Sequence, residues 1–210
     1  MINSTDKIRI LYDELGFIET HGGVSRLFTD VMRELPEDCE WILAPVCTRN
    51  AYLQQPPFNL PRAQGTTDDF VRDTLHGHGF PGVSHVYKLL SWLFPWKFHS
   101  GELANARSRK RLLAAGEFDI YHTTMPHPAF NCWRKIVGRK PLVVTAVDLI
   151  PEGLGNARRV MHYRRQMFRD ASHIISITES TKRDIIRLYG VPEEKISVIY
   201  LGYDVKDVSV

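Results

Sequence analysis

Six short runs dense in isoleucine, valine, leucine and tyrosine recur along the 210 residues, at 8–12, 40–46, 118–122, 142–147, 173–178 and 196–201. Side chains of this kind favour a packed, pleated surface. Stretches with helical spacing stand between most of them, so strand and helix alternate, and the architecture that fits is a parallel sheet with helices on both faces. LVVTAV at 142–147 constrains the choice most. It is apolar almost throughout and has no side to turn to water, which places it in the middle of such a sheet. The expected fold class is α/β, a doubly wound, Rossmann-like parallel sheet.

The first strand leads into the most informative connection, GFIETHGG at 16–23. Gly16, Gly22 and Gly23 supply the turn, because glycine takes positive φ freely and lets a ligand come close to the main chain. A helix follows at 24–35, with Val24, Leu27, Phe28, Val31, Met32 and Leu35 on one stripe and Pro36 as the stop. Gly22 and Gly23 thus stand at a helix N-terminus, where unpaired N–H groups and the positive end of the dipole favour an anion such as a phosphate. Neither the dinucleotide G-x-G-x-x-G nor a P-loop ending in Gly-Lys-Ser/Thr is present. A plain βα turn carries the same residues, so the pair by itself leaves both readings open.

The length allows one large domain or two small ones, and a hydrophobic content of 43% is ample for a core. A net charge of +3 is too small to demand a nucleic-acid partner but suits an anionic substrate or membrane surface. Cys39, Cys47 and Cys132 are odd in number and lack C-x-x-C spacing, which argues against a disulfide framework or zinc site and for reduced thiols in a cytoplasmic protein. MINSTDKIR carries no apolar leader, and the apolar runs are far shorter than a membrane span.

Residues 47–84 are rich in proline, glycine and polar side chains and read as long loops, with a short helix at about 69–75. His76 and His78 in HGHG lack a third metal ligand at suitable spacing. Residues 83–99 gather Val86, Leu89, Leu90, Leu93 and Phe94 with Trp92, Trp96 and Phe98, more apolar surface than one helical face hides. This is a core helix ending at Pro95 or an exposed platform for a lipid interface. The helix at 102–116 carries Arg107, Arg109, Lys110 and Arg111 as a solvated face, and a further helix is expected at 129–137. The helix at 157–171 is basic too, with Arg158, Arg159, Arg165 and Arg169 opposite Tyr163, Met167 and Phe168. After the strand at 173–178, Thr178 suits an N-cap, Glu179 complements the dipole and Gly190 ends the helix. Ligands of open α/β sheets bind at the carboxyl ends of the strands, where His122, Asp148 and the Gly22-Gly23 turn are expected to converge.

HGGVSRLF at 21–28, DIYHTT at 119–124, VVTAVDLIPE at 143–152, ASHIISITESTKRDI at 171–185 and VPEEKISVIYLGYD at 191–204, taken in order, resemble the N-terminal domain of glycosyltransferase family 4. These are retaining enzymes of the GT-B fold, and the resemblance is closest to bacterial members acting on lipopolysaccharide and other surface glycans. It spares only the stretch from 49 to about 116, a variable insertion. The resemblance implies that residues 1–210 form the acceptor-side domain and that a C-terminal domain binding the nucleotide-sugar donor is absent. The chain alone is then inactive.

The resemblance further implies that Gly22 and Gly23 approach the donor diphosphate and that His122, Asp148 and Glu179 line the acceptor side. Asp148 is the candidate catalytic residue, although Val147 stands where many members have histidine. No metal or cofactor is expected. The implied partners are a nucleotide sugar, a glycan or lipid-linked acceptor and an anionic membrane on the inner face of the plasma membrane. The implied activity is hexose transfer to a lipid-linked glycan in surface polysaccharide biosynthesis. A non-catalytic glycan- or lipid-binding module and the nucleotide-binding domain of another enzyme are the alternatives.

Overall fold

The computed structural model describes residues 7–63, 75, 78, 80–94, 100–125, 140–149 and 157–202. Among them six strands form one sheet in the order β2-β1-β3-β4-β5-β6, every neighbouring pair parallel. The strands are β1 (Ile8–Tyr12), β2 (Cys39–Leu43), β3 (Ile120–Thr123), β4 (Leu142–Ala146), β5 (His173–Ser176) and β6 (Ile196–Val198). The helices are α1 (Gly23–Arg33), α2 (Val83–Leu93), α3 (Ser100–Ala115), α4 (Ala157–Asp170) and α5 (Glu179–Tyr189). The doubly wound sheet expected from the alternation is present. The order reverses beside β1, which puts the switch point of the topology between β1 and β3.

Alternation along each strand divides the core into two layers. Leu11, Tyr121, Val144 and Ile174 face one side and pack with Leu113 of α3, Met167 and Phe168 of α4 and Ile185 of α5. Tyr12 faces the other and packs with Phe28 and Met32 of α1 and with Leu53 and Phe58, which come from the loop after β2. Residues from the stretch 49–116, which the resemblance leaves out, therefore complete the second core layer.

Three local readings need correction. Helix α1 buries Ser25, Phe28, Thr29 and Met32, while Val31 of the expected apolar stripe is 38% exposed. The helix is rotated so that its Leu27 and Val31 side borders a crevice and not, among the described residues, a covering layer. A short 3-10 turn at Leu15–Phe17 precedes the glycine pair, and it was not legible in the spacing. In α3, Arg109 is not solvated: its side chain is 11% exposed and pairs with Glu14.

The expected helices at 69–75 and 129–137 lie wholly or mostly outside the described residues, as do Cys132, His76, Trp96 and Phe98 and the side chains of Arg158 and Arg159. The caps of α5 are as expected. Thr178 accepts from the Thr181 N–H at 3.0 Å, and Gly190 closes the helix at φ +66°. A Cβ at Gly190 meets nothing within 4 Å, so only the backbone conformation opposes a side chain there. Gly190→Ala is expected to cost about 1 kcal/mol in a urea titration, the left-handed penalty alone.

Candidate functional site

Because all six strands run parallel, their carboxyl ends share one edge, and the loops after them carry the candidate residues. Asp13, directly after β1, is wholly buried and organises that edge. Its Oδ1 accepts from the Leu15 amide at 3.1 Å, from the Thr124 amide at 3.2 Å and from the Thr124 hydroxyl. Its Oδ2 accepts from the Tyr121 hydroxyl at 2.8 Å. Burial, with Asp13 adding to it, pushes the Tyr121 phenol well above its ordinary pKa, so it stays a donor. Thr124 in turn accepts from the Gly16 N–H at 2.7 Å, which holds the start of the glycine turn against β3.

Of the three glycines only Gly16 is sterically required. A Cβ there would lie 3.0 Å from Thr124 Cβ and 3.2 Å from Val24 Cγ1. Gly22 is extended, at φ −170° and ψ 150°, and the positive φ invoked for this turn is not used. At Gly23 a Cβ meets nothing within 4 Å, so the entrance of α1 opens on free space. No side chain caps the helix; the Ser25 hydroxyl donates to the Gly22 carbonyl at 2.9 Å and leaves the first-turn N–H groups uncapped. That is the arrangement in which a helix N-terminus accepts an anion.

His122 lies on the α1 side of the sheet, 7% exposed, with Nε2 2.9 Å from Thr145 Oγ1. Its ring packs against Tyr12 and Phe28, with centroids 5.2 and 5.3 Å away. Burial lowers its pKa from the ordinary 6.5 to about 4, so the imidazole is neutral at neutral pH. His122, Thr145 and Gly23 line one crevice of about 1090 Å³ between α1 and the ends of β4 to β6, with Arg26, Ile175 and Tyr200 among its other walls. The fold thus brings His122 and the glycine pair together although about a hundred residues separate them in the sequence. Asp148 and Glu179 stand on the same edge but are exposed and outside this crevice. Val147 is half-buried.

Several edge residues escaped the sequence reading. Asp13 and Glu14 follow the first strand directly, a position that is itself a signal in an open α/β sheet. Arg164 is 7% exposed, and its Nη1 donates to the Asp148 carbonyl at 3.2 Å, fixing the end of β4. Neither Arg164 nor Arg109 stands out within its basic run. Among the described residues no three metal-ligating side chains gather, and His78 is exposed.

Residues 21–207 match the sequence pattern of the family described as Glycosyltransferase Family 4. No curated protein matches. Among solved structures the chain is similar to Anabaena HepE in complex with UDP and glucose, at 19% identity and a TM-score of 0.55, over 95% of this chain and 46% of that one. The HepE complex with UDP-glucose gives 19% and 0.53, over 95% and 45%. This chain therefore spans less than half the length of the structures it resembles.

The two features described above behave differently on substitution. Gly16→Ala is expected to lower stability by about 1–3 kcal/mol through overpacking against Thr124, whereas Gly23→Ala leaves it unchanged or slightly raised; paired urea titrations check both. His122 makes stability depend on pH with a definite sign. The unfolded state takes up a proton near pH 6.5 and the folded state only near pH 4, so stability is full above 6.5 and falls as pH drops through that window. At about 1.4 kcal/mol per unit, roughly 2 kcal/mol is lost between pH 7 and pH 5. His122→Gln should lose that part of the slope, and unfolding curves at the two pH values would show it.

Proposed function

The chain belongs to glycosyltransferase family 4, and we propose that it is the acceptor-side half of a retaining hexosyltransferase that moves a sugar from a nucleotide donor to a lipid-linked glycan of surface polysaccharide. The observation that carries this reading is the uncapped N-terminus of α1, with open space at Gly23, facing the crevice that His122 also lines. The complexes of HepE with UDP and with UDP-glucose support a nucleotide sugar as donor.

Departure of a diphosphate from a sugar leaves an oxocarbenium-like centre beside a growing negative charge. Fixed N–H dipoles aimed at that charge stabilise it without reorganising. Gly22 and Gly23 supply such dipoles, and the missing side chains let the phosphates come close. His122, neutral and held by Thr145, offers the acceptor side a hydrogen-bonding group and no charge. Asp148 and Glu179 stand exposed on the same edge, where a bound acceptor reaches them. A second, donor-binding domain outside these 210 residues completes the site, and this chain by itself transfers no sugar.

Helix α2 supports a location at the inner face of an anionic membrane. Only Tyr87 and Ser91 of the helix are buried, while Leu89 is 56% and Trp92 76% exposed and Leu93 and the following Phe94 are each a little under half exposed. Lys88 and His85 are exposed beside them. Among the described residues no helix is long and apolar enough to cross a membrane. An apolar row with an interfacial tryptophan and a cation fits one that lies on it.

In the complete enzyme, Gly23→Val should cut turnover about 100-fold while the melting temperature stays put, because the new side chain meets only the space a phosphate would enter. UDP release is the measurement, and equal turnover in the folded variant removes the phosphate role. Sedimentation with anionic vesicles tests the membrane reading. Wild type should pellet at low salt, and Leu89→Ser with Trp92→Ser should weaken binding about tenfold. A protein that stays in the supernatant overturns it.

A further inference from the structure

A second crevice, of about 270 Å³, lies on the α3 side of the glycine turn. Its walls are the segment after β1, the loop after β2 and the first turn of α3. They are held together before any ligand arrives. Asn105 of α3 accepts from the amides of Val46 and Cys47 at 2.9 and 3.2 Å and donates to the Cys47 carbonyl at 2.9 Å.

Each carboxylate in these walls, Glu14 and Glu102, has a guanidinium partner, although only Arg49 of the two arginines lines the crevice. Glu14 pairs through Oε1 with Arg109, and Arg49 lies 3.5 Å from Glu102 at the rim. With each carboxylate already paired, the crevice offers no unmatched charge to draw an anion or a cation, which suits a neutral ligand. The other Glu14 oxygen, Oε2, is buried and has no hydrogen-bond partner among the described residues. A buried acceptor left bare is costly, and a ligand that brings a hydroxyl donor removes that cost. Leu15 and Phe17 supply an apolar wall beside it. Hydroxyl donors on one side and a C–H face on the other describe a sugar ring.

We propose that this crevice is a carbohydrate subsite in which Glu14 Oε2 accepts a hydrogen bond from a ring hydroxyl, Arg49 and Glu102 hold hydroxyls at the rim, and Leu15 and Phe17 take the apolar face. It rests on the transferase reading in taking that ring to belong to the acceptor. It places the neutral part of the acceptor on the far side of the turn from His122. The lining groups are then specificity-determining and not catalytic.

The test uses methyl glycosides of glucose, galactose, mannose and N-acetylglucosamine as probes, with methylammonium and inorganic phosphate as charged controls and UDP as a separate probe. Binding is followed by amide shifts at Leu15, Cys47 and Ala63 for the crevice and at Gly22 to Val24 for the turn. One or more glycosides should saturate the crevice shifts with a millimolar Kd, and Glu14→Gln and Arg49→Ala should each weaken binding about tenfold. Glu14→Gln disturbs the pair with Arg109, so Ala63→Leu, which narrows the crevice without touching a charge, provides the independent variant and should weaken binding at unchanged melting temperature. The subsite is overturned if no glycoside moves these amides at about 50 mM. It is also overturned if a charged control saturates them in preference, or if Arg49→Ala and Ala63→Leu bind as wild type does. UDP shifts at Gly22 to Val24 that persist when the glycosides fail leave the transferase reading standing and remove only the subsite.

Discussion

The buried carboxylate of Asp13 holds the functional edge together. It gathers hydroxyls from Tyr121 and Thr124 and amides from two loops, so β1, β3 and the start of the glycine turn meet on one side chain. A buried carboxylate is tolerated only when its lone pairs are filled, and here four donors fill them. Arg109, from an element more than ninety residues away in sequence, adds its charge nearby while pairing with the adjacent Glu14. Burial lowers the Arg109 pKa, and the neighbouring Tyr121 and Asp13 oppose that shift. The edge is therefore a charged cluster sealed under a turn, and the turn owes its position to it.

Both crevices follow from the layout of the sheet. On the α3, α4 and α5 side the helices cover every strand from β1 to β6, and that core layer is the larger. On the other side, among the described residues, α1 and the loop bearing Leu53 and Phe58 pack over β1 and β2, while the ends of β4 to β6 border the larger crevice. His122 sits where the layer under α1 meets that crevice. That accounts for its being buried enough to stay neutral and still part of a crevice wall.

The fold was legible because its signals are local. The β-branched runs, the cap at Thr178, the stop at Gly190 and the apolar stretch 142–147 each report a preference that the surrounding structure leaves in force. The site was legible only in part. The glycine pair and His122 announced themselves by residue type and by place at strand ends. Asp13 and Glu14 had the same place but look like any acidic pair before a turn. Arg109 and Arg164 were hidden, because an arginine in a basic helix is read as solvated and its burial depends on which turn faces the sheet. The rotation of α1 was hidden for a related reason, since an apolar stripe does not say which of its edges meets a partner and which meets a crevice.

The register of the sheet also fixes how far the chain must search to close it. Ile10 pairs with Ile120 across 110 residues, whereas Val143 pairs with His173 across 30 and Ile174 with Ile196 across 22. Joining the ends of the longest of these loops costs roughly 1 kcal/mol more chain entropy than the 30-residue closure, and the contacts that reward it come only after the ends have met. The strands β4 to β6 and their helices thus form the kinetically near part of the domain. The pairing of β1 with β3, on which the glycine turn and the acidic cluster both stand, is the entropically distant part.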